Sequence, residues 1–388
     1  MAKKIRLGLL FGGRSAEHQV SLVSATSVMN ALNRDKYEVI PIGITPQGQW
    51  LTGDQSLRFL KEGRTAKDLL SFLPADPTQK ALLLQNHPHA APQKLDVVFP
   101  VLHGTYGEDG TIQGLFELAD IPYVGASVLG SAVAMDKILQ KQITNQAGIP
   151  SVDYLWIKGV DWHNPTESEQ PAITHQLARK SREEVLQAIR ERLGFPVFVK
   201  PPNLGSSVGI SKARDEVELR EGIETALQFD RKVLIEKAVP HAREIEVAVL
   251  GNEHPKAAIP GEVIPSNEFY DYDAKYVDNA SALKIPAELE SELLDFIRSV
   301  AIQSVTAVEV EGMARVDFLV NDETKDVYLN EINTIPGFTS ISMYPKMWEA
   351  SGLSYPELLD ELIRLAIDRH EKKRRLKTVY QPKEDWYR

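Results

Sequence analysis

Asp317, Glu331 and Asn333 place three oxygen ligands in the stretch "VDFLVNDETKDVYLNEIN", Val316 to Asn333, two apolar runs around a polar turn. Burying a carboxylate is costly unless something positive meets it, so the pattern demands a basic group, a metal ion, or both. Side chains two apart on a strand share a face, which groups Arg315 with Asp317 and Glu331 with Asn333. Pairing Asn321 with Val327 across the turn "DETKD" sets Asp317 opposite Glu331 and Arg315 opposite Asn333. Two facing carboxylates and an amide oxygen form a hard donor set that suits Mg2+, which keeps waters and takes further ligands from phosphate. The same residues also fit a salt bridge from Arg315 to Asp317 or Glu331, with Asn333 capping a turn. The hairpin alone does not choose.

Upstream, "VKPPNLGSSVGIS" sets Lys200 at a strand end before a loop holding Gly205, Ser206, Ser207 and Gly209. Glycines let backbone N–H groups approach a phosphate and the hydroxyls add donors, although a plain glycine-rich turn reads the same way. It is not a Walker A loop, because a strand rather than a helix follows. "VLIEKAV" puts Glu236 and Lys237 at a strand end where backbone groups could meet an adenine edge, and Glu244 in "HAREIEV" could take ribose hydroxyls. Each is equally readable as a solvated charge. Lys137, read as mid-helix in "AMDKILQK", is more commonly a surface residue at such a place, and His103 at a strand's carboxyl end is a polar-contact candidate.

These residues need a scaffold. "IRLGLLF", "EVIPIGI" and "LDVVFPVLHG" alternate with amphipathic helical stretches, the pattern of a parallel sheet covered on both faces, with ligands at the carboxyl ends of its strands. A long helical pattern, Ser127 to Gly148, leads to a second region with strands "FPVFVKPP", "VGISKA" and "KVLIEKAV". A third region opens near Arg243 with "REIEVAVLG", contains the hairpin and closes on two helices. The expected architecture is therefore α/β in three parts: 1–126, 127–240 and 241–388. The stretch from Gly159 to Arg182 reads as a surface excursion, and the charged tail "EKKRRLKTVYQPKEDWYR" as peripheral.

The chain has 388 residues, no cysteine and a formal net charge of -10. Disulfides, thiolate metal sites and cysteine nucleophiles are excluded, and nonspecific binding to nucleic acid or anionic membranes is disfavoured. The opening "MAKKIRLGLLFGG" is too short in its apolar run for a signal segment, and no stretch is long enough to span a bilayer.

Seven motifs in order, "GGRSAEHQVSLVSA", "HGTYGEDGTIQG", "MDKILQK", "VKPPNLGSSVGIS", "FYDYDAKY", "GMARVDFLV" and "LNEINTIPGFTSIS", resemble the ATP-grasp enzymes and, within them, the D-alanine:D-alanine ligase family over nearly the whole chain. The resemblance implies nucleotide bound between the central and C-terminal lobes and an ATP-dependent ligation of two D-alanines through a D-alanyl phosphate, for peptidoglycan precursors. By likeness, Lys137 and Lys200 contact ATP phosphates with the Ser206–Ser207 loop, Glu236, Lys237 and Glu244 hold adenosine, and Asp317, Glu331 and Asn333 bind two Mg2+ ions, or Mn2+. Glu17 takes the first substrate's ammonium and His103 helps place it. Arg315 and the Gly337 N–H stabilise the oxyanion, Ser342 and Lys275 receive the second carboxylate, and Glu17, Ser206 and Tyr276 close the loop. A cytoplasmic homodimer with small-molecule substrates only is implied. Departures are the excursion after Gly159, the tail, and "NTIPGF", whose Ile335 and Phe338 are expected near the active site. A D-alanine:D-lactate ligase or another carboxylate–amine ligase of the same superfamily is the rival within the fold. A Rossmann dinucleotide enzyme is disfavoured by the lack of G-x-G-x-x-G.

Overall fold

After Arg6 the first strand is apolar to its end, and in the computed structural model residues 7–12 are buried, with a strand paired on either side. The structure describes residues 3–163, 177–178, 180–205, 207–264, 282–339 and 341–380. Among these, strands form three sheets. The first contains β1 (Ile5–Gly12), β2 (Tyr37–Ile44), β3 (Trp50–Thr52), β4 (Leu70–Phe72), β5 (Ala81–Leu84), β6 (Gln93–Lys94) and β7 (Val97–Pro100), in the order β6-β5-β4-β3-β2-β1-β7. It is parallel only where β2 and β7 flank β1. The expected parallel sheet thus continues as an antiparallel ribbon from β2 to β6. Most of those connections are shorter than the roughly twelve residues a parallel crossover needs.

The second sheet, all antiparallel, is β8 (Tyr154–Lys158), β9 (Val197–Lys200), β10 (Ser211–Ala213) and β11 (Lys232–Lys237). Helices Arg182–Arg192 and Glu216–Ala226 cover it, and Ile157, Ile189, Val199, Ile223 and Ile235 belong to a core of its own. The excursion after Gly159 starts inside this core rather than on the surface. Trp162 is wholly buried, its Nε1–H donates to Glu224 at 2.7 Å, and the Arg182 guanidinium lies 5.0 Å over its ring. Residues 164–176 and 179 lie outside the described residues.

The third sheet joins β12 (Ala242–Gly251), β13 (Lys256–Ala257), β14 (Gly261–Ile264), β15 (Ala282–Lys284), β16 (Gly312–Asn321) and β17 (Val327–Asn333). The helix Tyr355–Arg374 packs Leu358, Leu362 and Leu365 into one core with Leu7 and Phe99 of the first sheet and Val101 just beyond it. Polar contacts fasten the same junction: Tyr37 Oη donates to Asp360 at 2.8 Å, Arg369 donates to the Gly125 and Tyr123 carbonyls, and His370 meets Asp120 at 2.7 Å. The helix runs four residues past His370, so the start of the charged tail is structured; Lys372 and Lys373 pair with Glu253 and Glu117. No helix among the described residues is long and apolar enough to cross a membrane.

Candidate functional site

The β16–β17 pairing sets Arg315 opposite Asn333 and Asp317 opposite Glu331. The turn end differs by one residue, with Val320 rather than Asn321 opposite Val327. A bulge beside Asp317/Phe318, where Asn330 is the extra residue, absorbs the slip and restores the register at the carboxylates. Asn321 instead organises the turn, its Oδ1 accepting the N–H groups of Glu323 and Thr324 at 2.9 Å.

Arg315 grips Asp317 through Nε at 2.8 Å and Nη2 at 2.6 Å, and its Nε lies 3.2 Å from Glu246, the cross-strand neighbour of Asp317 on β12. Asn333 Nδ2 donates to Asp317 at 2.9 Å. The salt-bridge reading is therefore realised for Arg315 and Asp317. Burial works against the guanidinium charge, but Asp317 and Glu246 outweigh it and hold Arg315 well above its ordinary pKa. Glu331 pairs instead with Lys137, at 3.0 Å. Glu246, Arg315, Asp317 and Glu331 line a cleft with Glu244 and Asn330. Among the described residues no cluster of three or more His, Cys, Asp or Glu side chains is arranged to hold a metal. The available donors are two facing carboxylates and one amide, an all-oxygen set that fits Mg2+ when phosphate and water complete the shell.

Lys137 is not mid-helix. The long helical pattern breaks at Asp136, whose side chain caps a new helix, Lys137–Gln146, by accepting from Ile138 and Leu139 N–H groups. Lys137 is thereby the first residue of that helix, is buried, and donates to the Leu204 carbonyl at 2.9 Å. Burial lowers its pKa, yet Glu331, then Glu236 and Glu108, raise it above the ordinary value.

One turn on, Lys141 is fully buried and pairs with Glu236 at 2.6 Å; Lys200 pairs with the other oxygen of Glu236. Burial opposes the Glu236 charge, but the two ammonium groups prevail and its pKa falls to about 2. Lys141 is lowered by burial and by its neighbour Lys200. Lys237, one residue beyond Glu236, is exposed.

The loop after Lys200 is anchored at its foot: the Asn203 backbone and amide donate to Asp230, and Pro202 accepts from the Lys137 N–H. Ser207 adopts φ +58 and Gly209 φ +73. Gly205 and Gly104 both come against the Glu17 carboxylate; a Cβ on them would lie 3.1 and 2.7 Å from its Oε2. Three segments distant in sequence thus meet at Glu17. Ser206, Lys275 and Tyr276 lie outside the described residues, as does the loop network built on them.

His103 is buried, and its Nδ1–H donates to the Ile335 carbonyl at 3.0 Å while Nε2 accepts from Ser24 at 3.0 Å. Burial lowers its pKa, so the ring is neutral and spans the first sheet and the 334–338 loop. Ile335 and Phe338 are core residues, Phe338 packing on Phe99 and Tyr344. Gly337 sits against Ser342, whose hydroxyl accepts from the Thr339 N–H at 3.0 Å at the start of helix Met343–Ala350.

Four participants escaped the sequence reading. Lys141 carried a signal, since it is four residues from Lys137 and shares its helix face. Glu246 also carried one, two residues from Glu244 on a strand. Glu108 lay within the quoted "GEDG" without a role. Asn330 had none, because a bulge is not visible in an alternating pattern.

The D-ala D-ala ligase N-terminus family model matches residues 6–126, and the D-ala D-ala ligase C-terminus model residues 143–364. A D-alanine--D-alanine ligase of Natranaerobius thermophilus is 47% identical over 380 residues, covering 97% of this chain and 99% of that protein. One from Acetivibrio thermocellus is 48% identical over 384 residues, covering 95% and 98%. The solved D-alanine-D-alanine ligase from Coxiella burnetii aligns with a TM-score of 0.79 at 38% identity over 96% of this chain and 97% of that one. The VanG D-Ala:D-Ser ligase from Enterococcus faecalis aligns at 0.80 and 34% over 94% and 100%.

Proposed function

The chain belongs to the D-alanine–D-alanine ligase family, with its ATP-grasp fold, and from that premise we propose that it joins two D-alanines to D-alanyl-D-alanine while converting ATP to ADP and phosphate. The observation that carries this reading is the meeting of Glu17, Gly104 and Gly205 beside a lysine cluster and an oxygen-rich hairpin. An ammonium subsite thus lies next to groups suited to phosphates.

A carboxylate is a poor electrophile and must be activated before an amine can attack it. In our reading the first D-alanine, its ammonium on Glu17, takes the γ-phosphoryl group to give D-alanyl phosphate and ADP. The amine of the second D-alanine then attacks the carbonyl carbon, loses a proton, and phosphate leaves. Lys200 exchanges Glu236 for phosphate oxygens, and Lys137 does the same from Glu331, so that positive charge meets crowded anions in a water-poor cleft. Glu236, Lys237 and Glu244 line the nucleoside side. Arg315 and the Gly337 N–H face the developing oxyanion, and Ser342 with Lys275 takes the second carboxylate. Ser206, Ser207 and Tyr276 complete the cover with Glu17. Asp317, Glu331 and Asn333 would hold two Mg2+ ions, or Mn2+, which supply charge neutralisation at the phosphates. His103, whose ring nitrogens both serve the protein, acts by fixing the 334–338 loop.

We divide the chain into a substrate-binding part, 1–126, a central lobe, 127–240, and a C-terminal lobe, 241–388, in a cytoplasmic homodimer. The test is product mass from ATP, Mg2+, D-alanine and D-lactate supplied together across several pH values. D-alanyl-D-alanine as the main product near neutrality is expected; absence of D-alanine-dependent ADP formation, or mainly the ester at pH 7, would overturn the reading.

A further inference from the structure

Glu108 is a buried carboxyl that the mechanism above does not use. Its Oε2 accepts the Gly104 N–H at 2.7 Å and its Oε1 accepts the Ile335 N–H at 3.0 Å, while its own carbonyl accepts from Thr334 Oγ1 at 3.4 Å. Ile335 is therefore held at both ends of its polar backbone, its N–H by Glu108 and its carbonyl by His103. The two ends of this bridge matter for the reaction. Gly104 presses on the Glu17 carboxylate, and Ile335 lies between Asn333 and Gly337 in sequence.

We propose that Glu108 is a positioning residue that fixes the distance between the first substrate's ammonium subsite at Glu17 and the oxyanion-donating loop at Gly337. The inference rests on the ligase reading and deepens it. One carboxylate with both oxygens accepting N–H groups is a two-point spacer, and no amide side chain can replace it: glutamine offers one acceptor and turns an N–H donor toward the other N–H. Misplacing reacting groups by even about 1 Å is enough to cost on the order of a hundredfold in rate.

The charge balance ties this bridge to the arrival of substrate. Burial raises the Glu108 pKa to about 8, with Glu17 and more weakly Glu331 adding repulsion and the two N–H groups opposing. An ammonium arriving at Glu17 offsets that repulsion and favours the ionised form, the form whose oxygens accept both N–H groups best.

The test compares wild type with Glu108→Gln, Glu108→Asp and Glu108→Ala, each assayed for kcat, KM for D-alanine at its first site, KM for ATP, and Tm. In Glu108→Gln, kcat/KM for first-site D-alanine should fall about ten- to a hundredfold while KM for ATP stays within about twofold. Glu108→Asp keeps the charge and should recover part of the loss seen with alanine. Unchanged D-alanine kinetics in the glutamine variant would overturn the proposal. An equal loss for both substrates that tracks a fall in Tm would also overturn it, since that is what a purely structural residue gives. If glutamine prevents folding, the aspartate variant carries the same comparison. Wild type that makes no dipeptide would instead take down the ligase reading, whatever the variants do.

Discussion

Two neighbouring groups of buried charge, linked by Lys200 reaching Asn330 at 3.5 Å, carry opposite excess. At Glu236 two lysines share one carboxylate, and all three side chains are under 10% exposed. At the hairpin one guanidinium serves Asp317 and Glu246 with Glu331 close by, and these side chains are 10 to 20% exposed. A cluster with surplus cation is prepared for anions, and one with surplus carboxylate for cations. The difference fits the reading proposed above, with phosphate at the first and metal at the second.

The sharpest way to break this contrast is Glu331→Gln. Mg2+-dependent turnover should fall by about two to three orders of magnitude. Because Glu331 also partners Lys137, stability without metal should drop by about 1 to 3 kcal/mol, measured by denaturant unfolding in EDTA. Near-normal activity at ordinary Mg2+ would remove the metal from the hairpin.

Next comes the pair Lys200→Met and Lys141→Met. Both touch Glu236, but only Lys200 ends a strand at the glycine loop, whereas Lys141 is wholly enclosed. Lys200→Met should lower kcat by about a hundredfold or more with a modest change in Tm. Lys141→Met should act mainly through stability, at about 2 to 4 kcal/mol. If the two variants lose kcat alike, the division of labour between the lysines is wrong.

The smallest effect concerns acid. Glu236 ionises at about 2 in the folded chain against an ordinary 4.5, so the ionised pair stabilises the fold above about pH 4.5 and that contribution is lost as pH falls toward 2. Glu236→Gln should flatten the stability profile in that window, read by unfolding at stepped pH. Glu108 has the opposite sign: its folded value is raised to about 8, so ionising it costs stability as pH climbs from about 4.5 to 8, and Glu108→Gln should lessen that decline.

Much of the hairpin was legible because strand alternation is strictly local: the grouping of Arg315 with Asp317 and of Glu331 with Asn333 follows from period two alone. The turn was misplaced by one residue, and the match at the carboxylates survived only because the bulge at Asn330 compensates. Lys137 was misjudged because one aspartate can cap a helix inside an otherwise unbroken helical pattern, converting a mid-helix position to a buried first turn. Lys141 and Glu246 were missed for a different reason. Their roles depend on which strand lies beside which, and the pairing of β12 with β16 or the approach of Lys141 to Glu236 joins segments about seventy to a hundred residues apart. Ser206, Lys275 and Tyr276 carry roles that rest on motif likeness.

The helix Tyr355–Arg374 has an architectural consequence. By sharing one core with the first sheet and holding Tyr123, Gly125 and Asp120, it joins sequence more than two hundred residues apart into one packed body, while the sheet β8–β11 keeps a separate core. The middle of the chain, with its own core, therefore packs as a unit distinct from the body formed by both flanking parts.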